Sequence, residues 1–176
     1  RLDDKMSTPP PSNVNVEVSV EKEKQLVEKM KSKLKNKFTL DSIKPGRINV
    51  VVSPNNIVEV SKVAKSICFD QVSSVAGTDF PSDNEFEVVY HVACVSNSRY
   101  RSIVLELSAR IKKSETAKPV INSLYDVWRS CDWHEKETHE MLGIVFKGNP
   151  ELRRVLLPED WNEIPPLRKD YILPGR

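Results

Sequence analysis

Apolar residues recur at helical spacing in three parts of the chain. The first helix is predicted over residues 19–38, with acidic residues early and lysines late, an order that suits the helix dipole. Its apolar positions are Leu26, Val27, Met30, Leu34 and Phe38. A second helix is predicted from Pro54 to about Cys68, and a short third one over 120–128, after Pro119.

Stretches rich in β-branched residues predict four strands. They cover residues 47–53, 71–76, 86–95 and 102–107. Pro45-Gly46 predicts a turn before the first strand, and Asn97-Ser98 a hairpin turn between the last two. This order of elements predicts an α+β domain over residues 19–130, with a small mixed or antiparallel sheet and helices on one face.

The last third of the chain combines one bounded helix with a proline-rich stretch. Asp132 to Glu135 have the form of a capping box, and Gly143 stands where a helix would end in a left-handed conformation. The helix over 132–142 should make apolar contacts through Trp133, Met141 and Leu142. Because prolines recur beyond it, we predict that residues 131–176 comprise this helix and an extended C-terminal strap.

The N-terminus has a different composition. Residues 1–18 are predicted to be a flexible leader, since they include a run of prolines and lack apolar mass. Alternating valines from Val14 to Val20 leave a short edge strand open as an alternative. The predicted organisation is therefore a leader, an α+β domain and a strap.

Composition and charge exclude several classes of protein. The 27 Lys and Arg nearly balance the 25 Asp and Glu, and a net charge of +2 is too small by itself to indicate binding to nucleic acid or to a membrane surface. Apolar runs are far shorter than a membrane span. Cys68, Cys94 and Cys131 contain no C-x-x-C pair, so they are predicted to be free, buried thiols rather than cluster or zinc ligands.

The motifs assign no catalytic, cofactor-binding or metal-binding residue. His134 and His139 are five residues apart, about 140° around a helix, whereas the zinc-protease pattern H-E-x-x-H presents both histidines on one face. We interpret them as polar surface or interface residues. Gly143 and Gly148 form no phosphate-binding loop, and no G-x-S-x-G motif occurs.

The stretch 150–176 interleaves large apolar residues with paired cations. The apolar ones are Leu156, Leu157, Trp161, Leu167 and Tyr171. A chain stiffened by prolines cannot bury these side chains against itself, and Arg, Trp and Tyr are common interface anchors. It is expected to lie along its own domain or along another protein.

Two stretches closely resemble a known family. They are residues 135–161, EKETHEMLGIVFKGNPELRRVLLPEDW, and residues 166–171, PLRKDY. Both are similar to the signature of the C subunit of respiratory complex I, the NADH:quinone oxidoreductase, and of its homologues in chloroplast-type complexes, archaeal deazaflavin-dependent dehydrogenases and membrane-bound hydrogenases. Lys136 stands where this family usually has Arg, and Asn149 where His is commoner.

The resemblance implies a cofactor-less accessory subunit of the peripheral arm of a membrane-bound, ion-translocating oxidoreductase. Such a subunit docks on the large hydrogenase-like subunit beside the quinone site and supports electron transfer to quinone. Fe–S clusters, a quinone-type acceptor and a flavin, deazaflavin or NAD(P)H donor are then expected elsewhere in the complex. The implied complex reduces a quinone or phenazine, and the implied location is the cytoplasmic, matrix or stromal side of an energy-transducing membrane.

The implied partner-binding residues lie in the last third of the chain. They are Glu135, Lys136, Glu137, Gly143, Gly148, Pro150, Arg153, Arg154, Leu156, Pro158, Asp160, Trp161, Pro166, Leu167, Arg168, Lys169, Asp170 and Tyr171. The basic residues among 153–169 are expected to be charged anchors, and the acidic residues Glu135 and Glu137 to pair with bases of the partner or with arginines of the strap. Neighbouring Fe–S subunits are further expected partners.

Two alternatives from other classes stay open at this point. The lysines between Lys22 and Lys37 could serve a free-standing nucleic-acid-binding module, although a solvated helix face is the favoured interpretation. A metal hydrolase would bind zinc stoichiometrically, which the histidine spacing disfavours. The resemblance favours the subunit of an oxidoreductase, with no nucleic acid and no direct membrane span.

Overall fold

A computed structural model describes residues 20–114 and 116–172 of the chain. Its helices are α1 (Glu21–Leu34), α2 (Ile57–Ile67) and α3 (Asp132–Leu142), and a 3-10 helix (Arg129–Cys131) precedes α3. Its strands are β1 (Phe38–Lys44), β2 (Arg47–Val52), β3 (Gln71–Phe80), β4 (Glu85–Ala93), β5 (Val104–Lys112), β6 (Val120–Asn122) and β7 (Val145–Lys147). This is an α+β fold, as the order of sequence patterns predicts.

Five strands form one mixed sheet in the order β1-β2-β5-β4-β3. Within this sheet only the β2–β5 pair is parallel, and the connection between these two strands contains α2, β3 and β4. Burial alternates along β4, so one face of the sheet is covered and the other is half-exposed. Tyr90 of β4 lies opposite Leu107 of β5, and both are buried on the covered face.

The three helices contribute to a single core on the covered face. Leu26, Met30 and Leu34 of α1 are buried, as are the apolar residues of α2 at helical spacing. Helix α3 lies close to β3 because Gly77 has no side chain; an added Cβ would overlap the side chains of Leu142 and Thr138. The α3 helix is thereby held against one edge of the sheet.

The sequence-based prediction of the first helix was too long. The helix α1 ends at Leu34, and Phe38, expected on its apolar face, begins strand β1. This strand was not predicted, although it forms a hairpin with β2 across Pro45-Gly46. Gly46 has a φ of +73° and donates its N–H to the buried Glu23 carboxylate at 2.8 Å, so α1 fixes the hairpin turn through a tertiary contact.

The helix predicted over 120–128 is wrong. The stretch forms the short strand β6, parallel to β7, followed by turns. Periodicity over nine residues does not distinguish a short helix from a buried strand followed by a turn. In the folded chain the Leu124 N–H donates to the Glu135 side chain of α3, a tertiary contact that the local sequence does not reveal. The strands were also longer than predicted at Phe80 and Lys112.

Two expectations for the start of α3 are wrong as well. The residue at the N-cap is Cys131, and it makes no side-chain cap, so Asp132 to Glu135 do not form a capping box. Trp133, expected as an apolar contact, is 63% exposed. The bounds of α3 and its end at Gly143 are confirmed, as are the three free and buried cysteines. The predicted leader lies outside the described residues, and so does the alternative edge strand apart from Val20, which is not in a strand.

Candidate partner-binding site

Residues 148–172, here named the C-terminal segment, contain no helix or strand and run over α3 and the end of β3. Gly148, with a φ of +98°, is its first residue, and Gly143, with a φ of +78°, ends α3 before β7. A Cβ at Gly143 would lie 3.3 Å from Cγ of Pro165, so the C-terminal segment passes close to the end of α3. The chain therefore leaves α3, forms β7 and returns across the helix.

Glu135 lies inside the domain and binds four elements together. Its carboxylate accepts hydrogen bonds from Tyr90 Oη (3.0 Å), Ser123 Oγ (2.5 Å), the Leu124 N–H (2.8 Å) and Asn149 Nδ2 (3.0 Å). Burial, followed by the charge of Glu135, raises the pKa of Tyr90 well above its usual value. The sheet, the turn after β6, α3 and the start of the C-terminal segment meet at this one side chain.

Because Glu135 is buried, its carboxylate is not exposed for contact with a partner protein. The side chain is fully buried and its oxygens are used within the chain, whereas Glu137, two residues later, is exposed. Lys136 is also buried and pairs with Asp132 at 2.8 Å and with Glu151 at 3.8 Å. Of the three residues predicted at the start of α3, only Glu137 faces outward.

Glu140 holds the middle of the C-terminal segment by its backbone. The carboxylate accepts the N–H groups of Val155 (3.1 Å), Leu156 (2.9 Å) and Leu157 (2.6 Å), and its residue is only 5% exposed. Burial acts to raise the pKa of Glu140, but the bonds from the N–H groups of Leu157, Val155 and Leu156 outweigh it, so the pKa is lowered. Glu140 thus stays charged and stabilises three consecutive residues that no helix or strand pairs.

Asp79, at the end of β3, holds the far part of the C-terminal segment. It accepts the Lys169 N–H at 3.0 Å and forms an ion pair with Lys113. Nearby, the Leu167 N–H is bound to the Met141 carbonyl oxygen at 3.0 Å. The C-terminal segment is therefore held at its start, middle and far end by Glu135, Glu140 and Asp79 in turn.

Side chains within the C-terminal segment also pair with one another. Arg168 makes two hydrogen bonds to Asp170, at 2.9 and 2.6 Å, and this contact is the main cause of the lowered pKa of the Asp170 carboxyl. The rings of Trp161 and Tyr171 lie 5.9 Å apart at an angle of 41°. Arg154 donates to the carbonyl oxygens of residues 158 and 159. These contacts shape the segment without burying it.

Several large apolar side chains of this region point away from the core, whereas Leu152 packs against it. Leu156 is 62% exposed, Leu167 57% and Ile172 79%, and Trp133 of α3 is exposed to a similar degree. Of the other predicted partner-binding residues, the exposed ones are Gly148, Pro150, Arg153, Arg154, Pro158, Asp160, Lys169 and Asp170, and the half-buried ones are Gly143, Trp161, Pro166, Arg168 and Tyr171. The sequence-based set missed the two anchoring carboxylates Glu140 and Asp79, as well as Ile172.

The described residues show no group of three or more His, Cys, Asp or Glu side chains placed to hold a metal ion. His139, one of the two histidines considered for zinc, has its Nδ1 2.7 Å from the Ile144 carbonyl oxygen. Among the helices of the described residues, none has the length and apolar character needed to cross a bilayer.

The fold of this chain is shared by other solved structures. The chain aligns with a chain of the membrane-bound sulfane sulfur reductase, an archaeal respiratory membrane complex, with a TM-score of 0.76 over 87% of both chains and 19% identity. It also aligns with a trypsin-resistant fragment of Nqo5, with a TM-score of 0.59 over 73% of this chain and 98% of that one, at 21% identity. These similarities establish the same α+β fold.

Sequence comparison then gives the family. Residues 50–176 match the model of the respiratory-chain NADH dehydrogenase 30 kDa subunit, and the chain belongs to this family. It is 40% identical to the C subunit of the F(420)H(2) dehydrogenase of Methanosarcina mazei, over 72% of this chain and 77% of that protein. It is 36% identical to the C subunit of the NADH-quinone oxidoreductase of Chloroherpeton thalassium, over 58% of this chain and only 40% of that protein. The predicted membership in the family of complex I C subunits is confirmed.

Proposed function

We propose that this chain is an accessory subunit that docks on the large hydrogenase-like subunit of a complex I-like oxidoreductase through α3 and the C-terminal segment. Family membership makes it a subunit of respiratory oxidoreductases that carry electrons. The proposed domain organisation assigns residues 19–130 to the α+β domain and residues 131–176 to the docking unit. The family match runs from residue 50, within β2, to residue 176, so it includes the whole docking unit.

One observation carries the proposal: the C-terminal segment binds inward through its backbone and exposes several large apolar side chains. The N–H groups of residues 155–157 are bound to Glu140, yet Leu156 between them is 62% exposed. Leu167 has the same arrangement, with its N–H bound to α3 and its side chain outside. Exposed apolar residues held on an ordered backbone are what a protein partner would bury.

The cationic residues of the C-terminal segment fall into two groups, those whose side chains are paired within the segment and those assigned to the partner. Arg168 is paired with Asp170 and Arg154 with backbone carbonyl groups, so these two shape the C-terminal segment. Arg153 is exposed, with an ion pair to the equally exposed Glu151 at 3.4 Å, and Lys169 is exposed while its backbone is bound to Asp79. We assign Arg153 and Lys169 to contacts with the partner and Arg154 and Arg168 to preorganisation.

The redox chemistry would belong to other subunits. Fe–S clusters, the flavin, deazaflavin or NAD(P)H donor and the quinone-type acceptor are proposed to lie in neighbouring subunits, beside which this chain supports electron transfer. The complex is proposed to translocate ions, with this chain in the peripheral arm on the cytoplasmic, matrix or stromal side. Support for this placement comes from the relatives that are named as parts of an NADH-quinone oxidoreductase and of an F(420)H(2) dehydrogenase.

The test removes the exposed apolar surface and leaves the fold in place. The variant Leu156→Asp/Leu167→Asp is co-expressed with the large subunit, and co-purification is compared with that of Val51→Asp. Val51 is 42% exposed on the other face of the sheet, so it controls for the loss of an exposed apolar side chain. We expect the double variant to lower affinity for the large subunit by about a hundredfold, as for interface anchors, and the control to change it little.

Circular dichroism of each isolated variant checks that the domain is folded. Equal co-purification of the double variant and the wild type would contradict docking through this surface. Deleting residues 150–176 is a harsher version of the same test, because it also leaves the Glu140 and Asp79 carboxylates without their backbone donors.

A further inference from the structure

One flank of α1 carries cations that have no carboxylate partner in the described part of the chain. Lys22, Lys29 and Lys33 are exposed and lie seven and four residues apart, which places them on one side of the helix. Arg99, from the connection between β4 and β5, joins them: its guanidinium and the Lys29 ammonium lie 5.5 and 5.8 Å from the centre of the Tyr100 ring. These four cations are named the α1 cation cluster.

The side-chain hydrogen bonds of the cluster go to neutral groups of the described residues. Lys33 Nζ donates to Ser66 Oγ of α2 at 3.2 Å, and Arg99 donates to Gln25 Oε1 of α1 at 3.4 Å. Helix α1, helix α2 and the β4–β5 connection therefore meet at a surface that collects positive charge. Lys22 and Lys33 are eleven residues apart in the helix, so the surface is about 16 Å long.

Arginines on the sheet side of the molecule are neutralised within the chain. Arg47 pairs with Glu106 at 3.1 Å and Arg110 with Asp83 at 3.0 Å, and Arg168 of the C-terminal segment pairs with Asp170. The chain has nearly as many carboxylates as cations. In and just after α1, the lysines that form ion pairs within the described residues are Lys24, with Glu21, and Lys37, with Glu59, and neither belongs to the cluster. Like charges on one helix flank repel, and a partner with complementary charge would relieve that repulsion.

The surroundings of the cluster narrow the chemistry of that partner. The apolar residues of α1, including Leu26 and Met30, are buried in the core, so the helix has no apolar face to insert into a bilayer. Tyr100 is 6% exposed, which leaves no aromatic face for base stacking. What remains is a surface of three ammonium groups and one guanidinium, suited to carboxylates through long-range attraction rather than burial.

We infer that the α1 cation cluster is a docking surface for an acidic protein, one that presents a row of Asp or Glu side chains. The inference does not rest on the C-terminal segment, which is a separate surface. Three of the four cations precede residue 50, where the family match begins. Binding here should weaken steeply with salt, because exposed charges are screened over a Debye length of about 8–10 Å.

The probe is a fluorescent oligoglutamate peptide, titrated with the full chain at low and at physiological ionic strength. The cluster variant is Lys29→Glu/Lys33→Glu/Arg99→Glu. The matched control is Lys44→Glu/Lys112→Glu/Lys147→Glu, which changes net charge equally at exposed positions on β1, β5 and β7. We expect the cluster variant to bind the peptide at least about tenfold more weakly than the control does.

Equal weakening by the two variants would overturn the inference, because it would mean that net charge alone attracts the peptide. A short DNA duplex and vesicles containing phosphatidylglycerol are titrated in parallel. Tighter binding of wild type to either one than to the peptide would also overturn it, in favour of a phosphate-bearing partner. Unchanged co-purification of the Leu156→Asp/Leu167→Asp variant would contradict only the proposed function. Equal peptide binding by the cluster and control variants would contradict only this inference, so the two failures are distinguishable.

Discussion

The α+β core and the C-terminal segment are stabilised in opposite ways. In the core, apolar side chains point inward and backbone groups pair along strands and helices. In the C-terminal segment, backbone N–H groups point inward to the Glu140 and Asp79 carboxylates, while Leu156 and Leu167 point outward. The difference shows how backbone hydrogen bonds to buried carboxylates can order a segment while some of its large apolar side chains stay exposed.

Glu135 is where the two regions meet, so changing it should have the largest effect. We expect Glu135→Ala to lower the free energy of unfolding by about 3–5 kcal/mol, because several buried donors lose their acceptor at about 1–3 kcal/mol each. Urea denaturation measures this change. Glu137→Ala, on the exposed face of the same helix, should stay within about 0.5 kcal/mol, and equal effects of the two variants would rule out the special role of Glu135.

A change at Glu140 should distinguish the stability of the C-terminal segment from that of the core. We expect Glu140→Ala to release residues 155–157 while the core stays folded, with local opening easier by about 2 kcal/mol and exchange of these amides about 30-fold faster. Hydrogen exchange by NMR measures it, and faster tryptic cleavage after Arg153 and Arg154 should accompany it. A uniform loss of protection across β4 and β5 would show instead that the C-terminal segment and the core unfold together.

Acid should act on the C-terminal segment through the same residue. The pKa of Glu140 is lowered in the folded chain, so its contribution is present above the ordinary glutamate value of 4.5 and is lost as pH falls through the lower folded value. The amide chemical shifts of residues 155–157 should therefore change below about pH 4.5 in the wild type. In Glu140→Gln this transition should be absent.

Asp70 provides the matching control in the core. Burial acts to raise the pKa of the Asp70 carboxyl, but hydrogen bonds from Ser96 and from the Val95 N–H outweigh burial, so this pKa is lowered, as at Glu140. Asp70→Asn should remove an acid transition at residues 95–96 and leave the one at residues 155–157 intact. If Asp70→Asn abolished both transitions, acid would be acting through the global stability of the chain rather than through each carboxylate locally.

The smallest expected effect concerns the end of α3. Gly143→Ala places a Cβ at a φ of +78° and 3.3 Å from Pro165 Cγ, whereas Gly148→Ala, at a φ of +98°, has nothing within 4 Å. We expect a loss of about 1–2 kcal/mol for Gly143→Ala and about 1 kcal/mol for Gly148→Ala in urea denaturation. Faster exchange of the Leu167 amide only in Gly143→Ala would locate the extra cost at the C-terminal segment; identical losses would mean that Pro165 simply moves aside.

The elements predicted well were those whose determinants are local. Helix α3 is bounded by Gly143, and β4 is a long β-branched run, so both were predicted within two residues. The errors came where tertiary contacts decide. Phe38 continues the apolar spacing of α1 but belongs to a hairpin that Glu23 fixes by binding Gly46. The stretch after Pro119 has helical spacing, yet it pairs with β7 and is capped by Glu135.

The candidate site shows the same division. The apolar residues, arginines and prolines of the C-terminal segment could be recognised because a proline-rich chain with large apolar side chains needs a surface. Glu140 and Asp79 could not, since their donors are 15–17 and 90 residues away in sequence and no local pattern marks a carboxylate that binds a distant backbone. Trp133 was placed inside by its apolar character and lies outside.

By itself, the sequence determined the family, the α+β class, the end of α3 and the proline-rich composition of the last third, because these depend on residue types and short spacings. Tertiary structure alone decided which carboxylates face inward, that the backbone of the C-terminal segment is bound while its leucines are exposed, and that Arg99 joins the lysines of α1. Those features depend on which distant groups come within hydrogen-bond or Coulomb range, and that is set only when the chain is folded.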